Sequence, residues 1–274
     1  MHPGRTSRAE LGFAVGGGRT FLARQRVPYP FHATRPHHLG AGRPDLATLV
    51  LQSASGGLFG GDRLDLVVTA NAGAAAHVTS QAATVVHSAR GDGSVVANRI
   101  EARDGAMLSV TTDPYVLFPE AQLSVATEIV LAPTATVVVA DGFATHDPAG
   151  RGSPPRRLST RCRVLSEDGS LLVDDACELD GTALFGPGSV LGPHAAFGSV
   201  LVLGAAAGRL DPAAVEARLD ALGALAGASP LPNGAGLGIR ILAKQGGVLA
   251  RALDDAHAAA FAATFGAEPS GRRR

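Results

Sequence analysis

Residues 56–62 read Gly-Gly-Leu-Phe-Gly-Gly-Asp, four glycines and one carboxylate in seven positions. Glycine admits positive φ and lets backbone or a ligand come close, so such a turn sets unusual geometry at one point. Asp62 then sits where little side-chain bulk shields it. A loop whose aspartate caps its own backbone is the plainer reading. A phosphate loop is excluded, because no Gly-Lys-Ser/Thr ending follows and Lys244 is the only lysine. A dinucleotide fingerprint fails too, because the residues after Asp62 alternate like a strand and not like a helix.

Other chemistry is sparse. No Gly-X-Ser-X-Gly elbow, His-Glu-X-X-His or Cys-X-X-Cys occurs. Nine histidines are scattered. Among them His37 and His38 are adjacent, so in an extended chain they point to opposite sides and do not chelate together. Asp62, Asp113, Asp141, Asp175 and Glu178 are candidates for the paired carboxylates of a β-solenoid carbohydrate hydrolase or lyase, although sequence sets no distance between them. Cys162 and Cys177 do not form a secreted disulfide framework, and two buried free thiols is the expected state.

Composition narrows the class. Charged residues are 18% and balance to a net charge of zero, which removes the basic field that nucleic acid requires. That neutrality, with a mean hydropathy of +0.17, gives little protection against self-association and suits a subunit that works with partners. The N-terminus carries arginines without an apolar signal-peptide core, and the most apolar run, residues 199–207, is far short of a membrane span. The cytoplasm is the expected compartment.

The elements that position these residues are mostly strands. Residues 46–52 and 64–70 read as strands around the glycine loop. Leu123, Val125, Thr127, Ile129 and Leu131 alternate with more polar neighbours along a half-buried strand. Turn signals recur at Gly73, Asp104-Gly105, Pro133 and Asp168-Gly169, which predicts a sandwich, barrel or β-solenoid. A two-residue turn at Asp168-Gly169 sets Val164 against Val173, Thr160 against Cys177 and Leu158 against Leu179, with Arg163 opposite Asp174 and Arg157 opposite Asp180. A three-residue hairpin loop ending in a left-handed Gly105 sets Ile100 against Leu108 and Ala102 against Ala106. Residues 148–155 read as a flexible loop beside Arg151, Arg156 and Arg157. Asp211-Pro212 opens a helix that carries Val215, Leu219, Leu222 and Leu225 to Gly227, and a second helix is expected over 254–265. The resulting organisation is an N-terminal arm or edge segment (1–45), one mainly β domain (46–266) and a disordered basic tail (267–274). No internal repeat is evident.

One long stretch adds a resemblance. Leu51-Gln52-Ser53-Ala54-Ser55-Gly56-Gly57-Leu58-Phe59-Gly60-Gly61-Asp62 resembles the signature of the urease accessory protein UreD (UreH) family. The similarity continues through Thr79-Ser80-Gln81-Ala82-Ala83-Thr84, Asp113-Pro114, Leu117-Phe118-Pro119 and Asp141-Gly142-Phe143. It runs on through Asp168-Gly169-Ser170-Leu171-Leu172 to Ser229-Pro230-Leu231-Pro232-Asn233-Gly234, and so covers most of residues 46–245. The chain departs from the family at Val85-Val86-His87, where a Lys-Tyr-type pair is common, and it is poor in aromatics. The resemblance implies a β-helix-like or stacked-sheet body with about two α-helices near the C-terminus. It also implies a non-catalytic chaperone that bridges apo-urease (UreA/UreB/UreC) to UreF and the GTPase UreG and supports nickel insertion. An internal passage for nickel wants oxygen donors that hold weakly, and no tight metal site or bound cofactor. By the resemblance, Asp62 and Asp141 lead as lining groups, with Thr79, Ser80 and Thr84 behind them, and Gly56, Gly57, Gly60 and Gly61 serve the structure. A plain interaction module without a metal pathway is the remaining alternative.

Overall fold

The computed structural model describes residues 4–38, 43–184 and 188–269. In chain order the first strands are β1 (Thr6–Gly16), β2 (Arg19–Arg26), β3 (Phe31–Ala33), β4 (Ala47–Ser53), β5 (Arg63–Ala70) and β6 (Ala75–Ser80). Next come β7 (Thr84–Val86), β8 (Ser94–Ala102), β9 (Met107–Thr111), β10 (Tyr115–Leu117), β11 (Gln122–Leu131) and β12 (Thr136–Thr145). The last are β13 (Arg157–Ser166), β14 (Leu171–Asp180), β15 (Ala196–Leu203), β16 (Leu225–Pro230) and β17 (Gly236–Ala243). They form two facing sheets, ordered β14-β13-β11-β8-β5-β1-β2 and β16-β17-β15-β12-β9-β6-β4-β3, with β7 and β10 attached to the second.

From β4 to β13 the chain alternates between the sheets, and each return lies parallel to the strand one coil earlier. Partners such as Arg63 and Val95, Leu123 and Ser94, and Gln122 and Arg157 stand 32, 29 and 35 residues apart. Parallel strands normally need a helix to carry the chain back. Here the strand in the facing sheet is the crossover, so a parallel core of stacked coils forms from strands alone. This is the solenoid branch of the expected mainly β class.

The corners explain one error of expectation. Gly105 is left-handed, at φ 65°, and the turn at 103–106 closes with Ala106 N donating to Arg103 O at 2.9 Å. Yet β8 and β9 do not pair as a hairpin: β8 lies between β5 and β11 in the first sheet, and β9 between β6 and β12 in the second. Ile100, Ala102, Ala106 and Leu108 are buried between the sheets. That inward alternation is the same for a hairpin and for a corner. Stacking decides it: Gly73 N donates to Asp104 O (2.9 Å), and Gly105 N to Thr134 Oγ1 (2.8 Å), so corners of successive coils hydrogen-bond to one another.

The β13–β14 hairpin keeps every expected pair, from Arg157–Asp180 to Val164–Val173, and then shifts register between Val164 and Leu165. Its charges pair diagonally, Arg161 with Asp174 and Arg157 with Glu178. The loop at 148–155 is organised around Asp147, whose carboxylate accepts from the amides of Ala149, Arg151 and Ser153. Of the arginines at this loop, Arg156 is paired with Glu120 and Arg157 with Glu178.

Within 1–45, β1 pairs in parallel with β5 and buries Leu11 and Phe13, while β2 forms the sheet edge. Neither β1 nor β2 contains a proline; Pro28 and Pro30 follow β2. His37 and His38 are exposed, and His38 Nε2 lies 2.8 Å from Thr20 O. Of the expected tail, residues 270–274 lie outside the described residues.

At the other end β15, β17 and β16 extend the second sheet in antiparallel fashion. A short turn of helix, α1 (Gly181–Leu184), follows β14. Helix α2 (Pro212–Ala221) has Asp211 as N-cap, accepting from Ala213 N at 3.0 Å. It stops before Leu225, which belongs to β16, so the apolar spacing to Gly227 overran the helix. Helix α3 (Gly246–Phe265) begins eight residues before the expected start and ends at left-handed Gly266. The helix starts on Gly246-Gly247, and packing of Leu249, Leu253, Ala256 and Phe261 on the second sheet outweighs the glycine penalty. No helix among the described residues is long and apolar enough to cross a membrane.

Candidate passage between the sheets

Alternation along each inner strand should fill the gap between the sheets with apolar side chains, and at two levels it does. On β11, Leu123 and Val125 join one apolar cluster and Ile129 and Leu131 another; Thr127 sits between them. On β12, Phe143 and Val139 belong to those two clusters, with Asp141 between. On β15, Ser199 takes the same place between Phe197 and Leu201.

Strand register joins these exceptions into two facing rows. Across the first sheet Asn98, Thr127, Cys162 and Asp175 are successive partners. Across the second, Asp141, Ser199 and Arg240 are successive partners, and Thr112 and Ser80, one residue past the last β9–β6 pair, Thr111–Thr79, line the first cavity. A polar seam therefore crosses the stack of coils. Cavities of about 280, 50 and 230 Å³ lie along it. The first and second share Leu66, Asn98, Thr112 and Tyr115; the second and third share Val125, Thr127, Asp141, Cys162 and Ser199. Such space, lined by hydroxyls and carboxylates, holds water readily.

Asp141 is the centre of the seam. Ser199 donates to its Oδ1 through the hydroxyl (2.6 Å) and the amide (3.2 Å), and Oδ2 takes no hydrogen bond from the described residues. Burial pushes this carboxyl above the ordinary range, against the pull of Ser199 and of the Arg240 charge. Tyr115 is pushed up to about 12, by burial first and then by Asp141. Cys162 is pushed up to about 12 for the same reason, with Asp141 and Asp175 adding to it, and burial raises Cys177 as well. Both cysteines are free. Thiols held this high are not thiolates near neutrality, so the seam offers oxygen and not sulfur.

The motif Asp141-Gly142-Phe143 thus does three things on one strand. Asp141 faces the seam and Phe143 an apolar cluster. Gly142 faces the other way, where a Cβ would stand 2.7 Å from Leu253 Cδ1 of α3. The helix docks on a hollow that only glycine leaves.

The other expected lining residues divide. Ser80 lies in the seam, its hydroxyl donating to Asp113 Oδ2 (2.9 Å) and accepting from Asp113 N (2.7 Å). Thr84 lines the first cavity, as do Gly56 and Gly57. Thr79 points away, to the face covered by α3, where its buried hydroxyl and that of its strand partner Thr111 have no hydrogen-bond partner. Asp62 is buried and does not line these cavities. Its Oδ1 accepts from Arg5 N (2.9 Å) and Arg5 Nε (3.0 Å), and its Oδ2 from Phe59 N (2.8 Å) and Arg5 Nη2. Burial pulls this carboxyl upward, but the Arg5 guanidinium and the two amides outweigh it and hold the group below the usual range. Gly60 lies against Asp92 and Ala89, and Gly61, at φ 85°, against Gly4.

Of the candidate carboxylates, Asp141 and Asp175 line one cavity, and most of the others are engaged elsewhere. Asp62 is taken by Arg5, Glu178 by Arg157 and Asp175 by Arg240. Among the described residues no group of three or more His, Cys, Asp or Glu is placed to hold a metal ion. Sequence reasoning missed Asn98, Thr112, Tyr115, Ser199 and Arg240 as seam residues. The available signal was Thr127, the one hydroxyl on an otherwise apolar strand face.

Fold and site together define a two-sheet β-solenoid with a polar, cavity-lined seam through its core. The chain belongs to the UreD family of urease accessory proteins: the model of that family, UreD urease accessory protein, matches residues 5–274, well beyond the 46–245 of the resemblance. It is 48% identical over 271 residues to urease accessory protein UreD 3 of Bradyrhizobium sp. (strain ORS 278), covering 99% of this chain and 96% of that protein. Identity to urease accessory protein UreD 1 of Methylorubrum extorquens (strain PA1) is 46% over 272 residues, 99% and 92% of the two chains. With urease accessory protein UreD 1 of Pseudomonas syringae pv. syringae (strain B728a) it is 32% over 278 residues, 99% and 97%. A role in urease maturation follows from this membership.

Proposed function

We propose that this chain is a non-catalytic scaffold that bridges apo-urease (UreA/UreB/UreC) to UreF and the GTPase UreG and passes nickel to the urease active site through the seam between its sheets. The observation that carries the reading is the alignment of Asp141, Ser199, Thr127 and Asn98 across coils, along neighbouring cavities that share lining residues. A hydrated dication in transit needs oxygen donors that exchange, in a space that keeps its water, and not a closed tetrahedral cage. On this reading Asp141, Ser80 and Thr84 line the route, while Asp62 fastens the fold and Thr79 lies beneath α3.

Asp141→Leu fills the middle of the seam without removing a fold contact other than that of Ser199. Co-expressed with the partners, this variant is expected to co-purify with them while nickel per urease falls about tenfold, a loss of the size produced by removing one well-placed polar contact. Normal nickel content in that complex would remove the passage.

Asp141→Asn gives a second readout with a defined sign. A carboxyl raised by burial stabilises the fold while protonated, and that contribution is lost as pH rises through its folded value. The amide removes the penalty, so its melting temperature should exceed that of the unchanged chain at pH 7–8 and converge with it below about pH 4, near the unperturbed aspartate value. Thermal scans across pH check this.

A further inference from the structure

The two ends of the seam differ in charge. At the β4–β6 end the first cavity opens among Gln52, Ser53, Gln81 and Thr84, neutral groups above Asp113. At the β14–β17 end, Arg240 and Asp175 line the third cavity with Asp141 behind them. Arg240 continues the row Asp141–Ser199 by one strand, and its Nη2 reaches across the gap to Asp175 Oδ2 at 2.6 Å. The side chains are 53% and 40% exposed, and a pair so open to water holds weakly and exchanges readily. A guanidinium keeps its charge at any working pH, so it repels a dication whenever it faces the cavity.

We propose that the Arg240–Asp175 pair is a charge-selective latch on this end of the passage. Closed, it sets a fixed positive charge beside Asp141 and holds a dication within the seam. A carboxylate presented by a docked protein partner, able to bind the guanidinium in bidentate fashion, draws Arg240 aside and leaves Asp141 and Asp175 to lead the ion out. Arg161, which also lines this cavity, is held by two hydrogen bonds to Asp174, Nε to Oδ1 at 2.9 Å and Nη2 to Oδ2 at 2.6 Å, where Arg240 makes one to Asp175. The latch rests on the passage reading, and its test must fail separately from that reading.

Cys162 supplies the probe, because it lines both the second and the third cavity. In the full-length chain carrying Cys177→Ser it is the only thiol. Its labelling by a cationic trimethylammonium thiosulfonate and by an anionic sulfonate thiosulfonate is followed by mass spectrometry. In both cases the Cys162 thiolate attacks the sulfenyl sulfur, forming a mixed disulfide and expelling methanesulfinate, so the ratio of the two rates cancels changes in thiol acidity; alkaline buffer raises the thiolate fraction. Arg240→Gln should raise the cation-to-anion ratio about tenfold and Asp175→Asn should lower it about tenfold, since each changes one unit charge at the mouth. A merely structural pair would move both variants in one direction. Ratios that shift together, or not at all, overturn the latch and leave the passage standing. Absence of labelling by either reagent in every folded variant in alkaline buffer, while the unfolded chain labels with both, overturns both.

Discussion

Asp62→Ala is expected to destabilise the protein by about 3 kcal/mol, the lower end of what removing one partner of a buried, hydrogen-bonded ion pair costs. The low end applies because the Arg5 side chain is 24% exposed and keeps its bond to Gly57 O at 2.9 Å. What is lost joins three segments. Asp62 immediately precedes β5, Arg5 immediately precedes β1, and the Phe59 amide belongs to the glycine loop. Without the carboxylate, the amides of Phe59 and Arg5 lose their acceptor and the parallel β1–β5 pairing loses its anchor. Urea unfolding of the unchanged chain, Asp62→Ala and Asp62→Asn checks the size. The pH dependence checks the cause. A carboxyl held below its ordinary range contributes stability above its unfolded value, near 4, and loses it as pH falls through the folded value. The gap between the unchanged chain and Asp62→Asn should therefore close in acid. A change within about 0.5 kcal/mol at neutral pH, the scale of ordinary surface substitutions, would mean the clasp contributes nothing.

Two neighbouring glycines in the same loop should behave in opposite ways. Gly57 has φ 124°, and a Cβ there would stand 2.3 Å from Val85 O, the atom that accepts from Leu58 N at 2.8 Å. Gly57→Ala must either adopt backbone geometry that L side chains rarely take or push the loop off β7. The expected loss is about 3 kcal/mol or more, strain and a broken inter-coil bond together. Gly56 has nothing within 4 Å of its would-be Cβ, so Gly56→Ala should stay within about 0.5 kcal/mol. Soluble yield and thermal midpoints of the two variants side by side decide the matter. Equal losses would mean that glycine content, and not the contact with Val85, governs the loop. Because Gly57 O also accepts from Arg5, Gly57→Ala and Asp62→Ala should be less than additive.

Both effects concern local geometry, and local geometry was the legible part of the sequence. Period-two alternation set which side chains of β11 face inward. Opposed charges and apolar pairs set the β13–β14 register from Arg157–Asp180 to Val164–Val173, but not at the turn, where Leu165 pairs with Leu171. Asp211-Pro212 marked a helix start, and Gly105 marked a left-handed turn. Each of these is decided by neighbours a few residues apart, where side-chain direction and backbone sterics act directly.

Sheet membership was not legible, and neither was the seam. Alternation states that Ile100 and Leu108 face inward but not whether their strands pair or oppose. The coils that settle it differ in length, 29, 32 and 35 residues, so no fixed period shows in the sequence. Thr127, Asn98, Cys162, Ser199 and Asp141 each read as an isolated polar exception on an apolar strand. Only strand pairing between residues far apart in sequence brings them side by side and makes of them two facing polar rows. Asp62 shows the converse: its glycine setting suggested an open carboxylate, and Arg5, 57 residues away in sequence, closes it.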